Sequence, residues 1–277
     1  MPDSPVRYLL SLLDLDQLDD DRFRGATGEG GPRLFGGQVA AQALRAAQRT
    51  VAADHRVNSL HAYFLRPGRY GPPTELAVDR IRDGSSFTTR RVVARQDGEA
   101  ILSLDASFHR EEPGDVYQPP SIVGAAAPPD TAPPPRFDPP GARPHRRPFV
   151  RREALLRTDP EPALAVWVRA ADGLPDDPAL HACVVTYFTD MGPIGAVRRR
   201  LGWSFTMGMA ASLDHCLWFH RPVRADQWLL YRLEAVAAAG ARGTARGDVW
   251  TEDGTLAVTV MQEGLIRPPR PRRQARG

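Results

Sequence analysis

Residues 63–67 read YFLRP, and residues 218–222 read WFHRP. A second pair of similar segments, QDGE at 96–99 and EDGT at 252–255, lies 156 residues apart, almost the same offset as the 155 residues of the first pair. Two independent matches at nearly one offset indicate an internal duplication. We therefore predict two copies of one structural unit, packed side by side about a pseudo-twofold axis.

Each half of the chain combines a helical segment with several strand-like segments. In the first half, residues 35–48 are rich in Ala, Leu and Gln, which favours a central helix whose small side chains permit close approach to a sheet. Alternating β-branched or aromatic residues and turn signals predict strands at 59–65, 74–83, 87–96 and 99–109. In the second half we predict a helix at 178–190 and strands near 149–158, 163–171, 210–220, 228–238, 243–251 and 255–267. This helix-plus-meander order is an α+β pattern, and the βαβ alternation of a Rossmann or TIM fold is missing.

A proline-rich spacer separates the two halves. Twelve of the 27 prolines fall between residues 113 and 148, and such a cluster removes too many backbone donors for a packed helix or a central strand. We predict an N-terminal unit at 1–112, a linker at 113–148, a C-terminal unit at 149–267 and a basic tail at 268–277. The apolar periodicity of residues 8–18 predicts a short amphipathic helix that docks on the first unit.

The composition excludes several enzyme classes. All 36 basic residues are arginine, so the chain has no amine side chain for a Schiff base and no lysine for a Walker-A loop. Pyridoxal enzymes, class I aldolases and P-loop NTPases are therefore excluded. The net charge of +3 is too small to indicate a nucleic-acid partner, but it suits an anionic small ligand.

The cysteines and the apolar segments of the sequence predict where in the cell the protein is located. The two cysteines, Cys183 and Cys216, show no CxxC spacing, which argues against a zinc ribbon or a disulfide framework and suits a reducing compartment. Asp14 and Asp16 interrupt the first apolar stretch, so we expect no signal peptide. No run approaches the roughly 18 apolar residues of a membrane helix. We expect a cytoplasmic protein.

Most common catalytic signatures are missing, namely GxSxG, HExxH and a GxGxxG between a strand and a helix. One local cluster, SLDH at 212–215, contains the residue types of a serine triad. Successive side chains of a strand point to opposite faces, so we expect His215 to point away from Ser212 and Asp214. On that reasoning these are ordinary strand residues.

Longer motifs, in order along the chain, resemble those of the acyl-CoA thioesterase II family. In the first half they are FGGQ at 35–38, LHAYFLRPG at 60–68 and RDGSSF at 82–87. In the second half they are VTYFTD at 185–190, SLDHCLWFHRP at 212–222 and VMQEGLIR at 260–267. The resemblance implies a double hotdog fold, with two units that each wrap an antiparallel sheet around a long helix, and hydrolysis of fatty acyl-CoA to free acid and CoA.

The resemblance also implies the site. The family holds an attacking water with an Asp, a Thr or Ser, and a Gln, and the matching positions are Asp190, Ser212 and Gln262. Bacterial members often carry Thr where this chain has Ser212, but either hydroxyl can donate and accept hydrogen bonds. His61 and Gly37 lie in matching first-half motifs and are predicted to contact the substrate. We expect acyl-CoA as the partner, no metal or organic cofactor, and a homo-oligomer.

Two other functions remain open at this point. A protein of the same fold could bind acyl-CoA, or act as a scaffold, without turnover. A hotdog hydratase or dehydratase would need an Asp–His pair over the acyl chain. His215 directly adjoins Asp214, and neighbouring strand residues cannot face one pocket, which argues against this function. In the first half the position equivalent to Asp190 falls near Gln42, whose neutral amide cannot act as a base, so we predict one working site per chain.

Overall fold

A computed structural model of the chain describes residues 4–134, 148–156, 164–204 and 208–268. Its first half contains α1 (Pro5–Leu13), β1 (Asp16–Gln17), β2 (Arg22–Gly25), α2 (Gly36–Gln48), β3 (His55–Phe64), β4 (Thr74–Asp83), β5 (Phe87–Gln96) and β6 (Glu99–Arg110). A 3-10 turn at Val123–Ala125 precedes β7 (Phe149–Glu153), β8 (Leu164–Ala170), α3 (Pro178–Thr189), α4 (Pro193–Arg200), β9 (Met209–Ser212), β10 (Asp214–Phe219), β11 (Leu229–Ala239), β12 (Arg242–Thr251) and β13 (Leu256–Arg267). All but the first residue of the predicted basic tail lies outside the described residues.

The strands form one antiparallel sheet in the order β1-β2-β4-β5-β6-β3-β10-β13-β12-β11-β8-β7, and β9 pairs with the end of β13. The strand order is the same on both sides of the β3–β10 junction. The series β3-β6-β5-β4-β2-β1 on one side corresponds to β10-β13-β12-β11-β8-β7 on the other. His61 pairs with Cys216 across that junction, and these residues stand 155 positions apart, the offset of the sequence repeat. Equivalent residues thus face each other across a pseudo-twofold axis. The fold is an α+β double hotdog, as predicted.

Helices α2 and α3 fill the inner side of this sheet. Asp177 caps α3 by accepting a hydrogen bond from the N–H of Ala179, and Pro178 follows at the first helical position. Nearly every residue of α3 is buried, and the Ala-rich face of α2 packs antiparallel to it. Both helices contribute to the main apolar core, which is continuous across the two halves.

The linker covers the outer side of the sheet in the second half. The outward-facing Trp167 and Trp250 belong to a second apolar cluster, against which Ile122 and Val123 of the linker pack. The indole N–H of Trp167 donates to the backbone oxygen of Ala127 at 2.9 Å. In the first half, by contrast, the outer face is exposed and charged, as in the ion pair of Arg91 with Asp105. The described part of the linker is therefore a structural cover as well as a spacer.

Two predicted elements differ from those observed, and three observed elements, β1, β2 and α4, were not predicted. The first helix is Pro5–Leu13 and not 8–18, because Ser4 caps it and Pro5 occupies its first turn. The predicted strand 210–220 is divided into β9 and β10 at Leu213. Helix α4 was not predicted, although Pro193 at its start and the arginines at 198–200 in its last turn are favourable helix-end residues.

Candidate active site

Three polar side chains from separate elements meet beside the end of α3. The hydroxyl of Ser212 donates to Oδ1 of Asp190 at 3.2 Å. The amide Nε2 of Gln262 donates to the same oxygen at 2.9 Å and to Oγ of Ser212 at 2.6 Å. The structure therefore brings together Asp190, Ser212 and Gln262, the three residues that the sequence motifs single out.

Their positions follow from the local fold. Asp190 is the C-cap residue of α3, Ser212 is the last residue of β9, and Gln262 lies on β13. Ser212 pairs with Gly264, two positions from Gln262 on β13. Strand side chains two residues apart lie on the same face, so the hydroxyl and the amide both reach the inner side, where Asp190 ends its helix.

A backbone N–H from the first half completes the surroundings of Asp190. Gly37, in the first turn of α2, donates its N–H to Oδ2 of Asp190 at 2.8 Å. The carboxylate thus lies at the positive end of the α2 dipole. Burial raises the pKa of Asp190 to about 6, against the opposing effect of the hydrogen bonds from Gln262, Gly37 and Ser212. A carboxylate with this pKa is largely ionised at neutral pH and can still bind a proton readily, which suits a general base.

Two glycines allow α2 to approach this closely. A Cβ at Gly37 would lie 2.4 Å from the backbone oxygen of Tyr187 on α3. A Cβ at Gly36 would lie 2.7 Å from the ring of Phe64 and 3.0 Å from Oδ2 of Asp190. The FGGQ motif is therefore explained by packing at the start of α2.

The two predicted substrate contacts differ in their location. Gly37 contacts Asp190 directly through its N–H. His61 points to the outer side of the sheet, where it is exposed and lies edge-on to the ring of Trp218 at 5.1 Å between ring centroids. Its neighbours Leu60 and Ala62 are the residues that point inward and are buried. The structure does not bring His61 to the cluster, and its contact with substrate stays a prediction.

The expectation that His215 points away from Ser212 is wrong. The strand is interrupted at Leu213, so the alternation restarts at β10 and both side chains point to the inner side. His215 is fully buried, and its Nε2 lies 3.0 Å from Oγ1 of Thr189. The imidazole of His215 is hydrogen-bonded to Thr189, and Ser212 is hydrogen-bonded to Asp190. Residues 212–215 therefore do not form a serine triad.

The first half has no equivalent of this cluster. Because α2 and α3 run antiparallel, the contact of Gly37 with Asp190 has its counterpart in the hydrogen bond from Nε2 of Gln48 to the backbone oxygen of Ala179, 3.1 Å. Gln48 is therefore the equivalent of Asp190, and the assignment to Gln42 is wrong. Gln42 instead donates to backbone oxygens in the loops near α1.

Ser212 and Gln262 are also replaced by other residues at the equivalent positions of the first half. The strand offsets of 155 and 156 residues place Val57 at the position of Ser212 and Ala106 at the position of Gln262. A neutral amide and two apolar side chains cannot hold and deprotonate a water. Within the described residues, no group of three or more His, Cys, Asp or Glu could hold a metal ion.

Comparison with known proteins assigns the chain to a family. A model of the acyl-CoA thioesterase N-terminal domain matches residues 23–109, and a model of the acyl-CoA thioesterase C-terminal domain matches residues 109–266. The chain belongs to the acyl-CoA thioesterase II family. Human acyl-coenzyme A thioesterase 8 is 36% identical in an alignment 298 positions long, gaps included, which covers 96% of this chain and 91% of that protein. Acyl-CoA thioesterase 2 of Haemophilus influenzae is 35% identical and covers 95% and 98% of the two chains.

A solved structure extends the similarity to the whole fold. The acyl-CoA thioesterase II TesB2 from Mycobacterium marinum is 40% identical, with a TM-score of 0.82 over 94% of this chain and 98% of that one. This acyl-CoA thioesterase II family member is accordingly a thioester hydrolase. Its described helices include none that is long and apolar enough to cross a membrane.

Proposed function

We propose that this thioesterase hydrolyses fatty acyl-CoA to the free carboxylic acid and CoA by direct attack of a water held by Asp190, Ser212 and Gln262. The observation that supports this most is the closed set of hydrogen bonds among the three side chains around a partly buried carboxylate. A thioester carbonyl is already electrophilic and its thiolate leaves readily. A positioned water with a base is therefore sufficient, and no covalent intermediate is needed.

In this mechanism Asp190 accepts one proton from the water while the water oxygen bonds to the thioester carbonyl carbon. Ser212 and Gln262 fix the orientation of the water. The C–S bond then breaks, and the CoA thiolate leaves with a proton returned from Asp190. General-base assistance contributes about 10²–10⁴-fold, and positioning of the water adds to it.

The start of α2 supports this chemistry from the first half of the chain. Gly37 holds one carboxylate oxygen of Asp190, which leaves the other to Ser212 and Gln262. The positive end of the helix dipole favours the negative charge that develops at the thioester oxygen during attack. We propose that the first unit contributes this helix end and part of the acyl-binding surface.

The alternatives have less support. A hydratase would need an Asp and a His directed at the acyl chain together. His215 is instead bonded to Thr189, and Asp214 accepts a hydrogen bond from the backbone N–H of Glu263 at 2.6 Å. A scaffold role gives no reason to hold an ionisable carboxylate where desolvation raises its pKa. A cytoplasmic location and a homo-oligomeric state remain predictions.

The test is steady-state release of CoA from acyl-CoA esters of graded chain length, with the thiol signal of the protein's own cysteines subtracted. We expect Asp190→Asn to lower kcat at least a hundredfold, because the near-isosteric amide cannot accept the proton. Asp79→Asn, on an exposed strand position, is the matched control and should keep wild-type turnover.

Retention of more than a tenth of the wild-type kcat by a folded Asp190→Asn variant would exclude Asp190 as the base. If the wild-type protein binds acyl-CoA and releases no CoA from any ester in the panel, the hydrolytic proposal fails and the protein is a binding module.

A further inference from the structure

His215 lies directly across the sheet from Gln262. Cys216 of β10 pairs with Met261 of β13, and the next antiparallel position places His215 opposite Gln262. Both side chains point to the inner side and are buried, with 0% and 2% of their surfaces exposed. Directly opposed residues of antiparallel strands have Cβ atoms about 4.5–5.5 Å apart, within reach of an imidazole and a carboxamide.

Each of these two side chains has one buried polar atom without a hydrogen-bond partner among the described residues. These atoms are Nδ1 of His215 and Oε1 of Gln262. Burial lowers the pKa of His215 to about 4, against the opposing effects of the Gln262 side chain and of a hydrogen bond with the backbone of Thr186. A neutral imidazole has one donor and one acceptor nitrogen. Buried polar atoms of proteins are rarely left unpaired, so the two atoms are natural partners.

We propose that His215 is a positioning residue for Gln262: its Nδ1–H donates to Oε1 of Gln262, while its Nε2 accepts the hydroxyl proton of Thr189. This inference rests on the proposed function, in which the NH₂ group of Gln262 faces Asp190 and the attacking water. The single hydroxyl proton of Thr189, 3.0 Å from Nε2 and 3.2 Å from the backbone oxygen of Thr186, can go to either acceptor; directed to Nε2, it leaves the imidazole proton on Nδ1.

The role follows from what happens to Asp190 during turnover. An ionised Asp190 by itself favours the amide orientation that presents NH₂ to it. That preference disappears when Asp190 has accepted the proton of the water, because a carboxylic acid can donate to an amide oxygen. A donor fixed on the other side of the amide keeps Gln262 in one orientation through both protonation states.

The first half of the chain supports this role by internal comparison. The equivalents of His215 and Gln262 are Leu60 and Ala106, and these two residues are paired across β3 and β6. The equivalent of Thr189 is Ala47, next to Gln48 at the end of α2. The same buried strand position therefore accepts leucine where no catalytic amide is present, so packing alone does not require a histidine.

The first test uses a double-mutant cycle on kcat. His215→Leu should lower kcat about tenfold with little change in KM. His215→Asn should keep most of the activity, because its amide NH₂ can donate from near the position of Nδ1. In a Gln262→Ala background, His215→Leu should cause no further loss, since its effect passes through Gln262.

The second test does not depend on activity. Nitrogen-15 NMR of histidine-labelled wild-type protein should show His215 neutral and protonated at Nδ1 at pH 7, and Thr189→Val should shift the tautomer population. Circular dichroism and thermal melting confirm that each variant is folded.

Three results would overturn the proposal: a proton on Nε2 of His215, an unchanged kcat in His215→Leu, or an equal loss of kcat with and without Gln262. These results are separate from failure of the proposed function. If Asp190→Asn is inactive and the NMR spectrum shows the Nε2 tautomer, only the inference about His215 fails.

Discussion

Asp190 combines three conditions that rarely occur together at one carboxylate. It is partly buried, it accepts hydrogen bonds on both oxygens, and no arginine is among the groups that shift its pKa. A cationic partner would lower the pKa and make the carboxylate a weaker base. Neutral hydrogen-bond donors hold the Asp190 side chain in place and leave its pKa at about 6, close to neutral pH.

The pH dependence of turnover follows from this. Only ionised Asp190 can accept a proton from water, so kcat should decrease as the pH falls through about 6, approaching tenfold per pH unit at lower pH. The measurement is kcat between pH 4.5 and 8 at saturating substrate. The residual activity of Asp190→Asn should not show this decrease at low pH. A wild-type kcat that stays constant down to pH 5 would contradict the assignment of Asp190 as the base.

At this scale, sequence motifs predicted Asp190, Ser212 and Gln262 as a set, and the structure places them in contact. The inward orientation of His215 was not predictable in the same way. The alternation rule assumes an uninterrupted strand, and the break at Leu213 reverses the outcome. No local pattern in SLDH indicates that break, because it depends on the backbone hydrogen bond from Leu213 to Glu263 of another strand.

Among the elements, the contact between α2 and α3 matters most for the site, because it joins the two halves at Asp190. The start of α2 must come close enough for the N–H of Gly37 to reach the carboxylate. A side chain at that position would meet a backbone atom, which cannot rotate away as a flexible side chain can.

We therefore expect Gly37→Ala to separate the helices locally, to destabilise the protein by about 1–3 kcal/mol and to lower kcat at least tenfold. Gly31→Ala is the matched control, since a Cβ there meets nothing within 4 Å. Thermal or urea unfolding and kcat measure the two effects. Equal behaviour of the two variants would show that the close approach of α2 is not required.

The two central helices α2 and α3 and the long strands were predictable from the sequence, whereas the function of the linker was not. In the described residues of the linker, 113–134 and 148, the only regular element is the 3-10 turn at Val123–Ala125, which agrees with its many prolines. What they could not indicate is that Trp167 and Trp250 present apolar surface on the outer side of β8 and β12, which needs covering. That requirement appears only when the sheet is assembled and the linker is seen to pack on it.

On the scale of the whole molecule, a nearly symmetric scaffold carries one asymmetric site. The strand order repeats on both sides of the β3–β10 junction, but Asp190, Ser212 and Gln262 correspond to Gln48, Val57 and Ala106. The first half therefore retains the shape of the unit without its polar cluster, although it supplies Gly37 to the second half.

One substitution should not restore a second site. In an Asp190→Asn background, Gln48→Asp should leave kcat at the level of Asp190→Asn alone, because Val57 and Ala106 offer the new carboxylate no partners for a water. The measurement is CoA release by the double variant. A gain above tenfold would show that a carboxylate at either helix end suffices and that the serine and glutamine are dispensable.

The pairing of His61 with Cys216 also has a consequence for how the chain reaches its native state. Hairpins such as β5–β6 and β12–β13 join neighbouring segments, whereas β3 and β10 must meet across most of the sequence. The entropy of closing so long a loop places this junction among the slowest contacts to form. We expect pulse-labelled amides of β10 to gain protection after those of β5 and β6. Until then each half exposes an unpaired strand edge, the point at which two nascent chains would exchange halves.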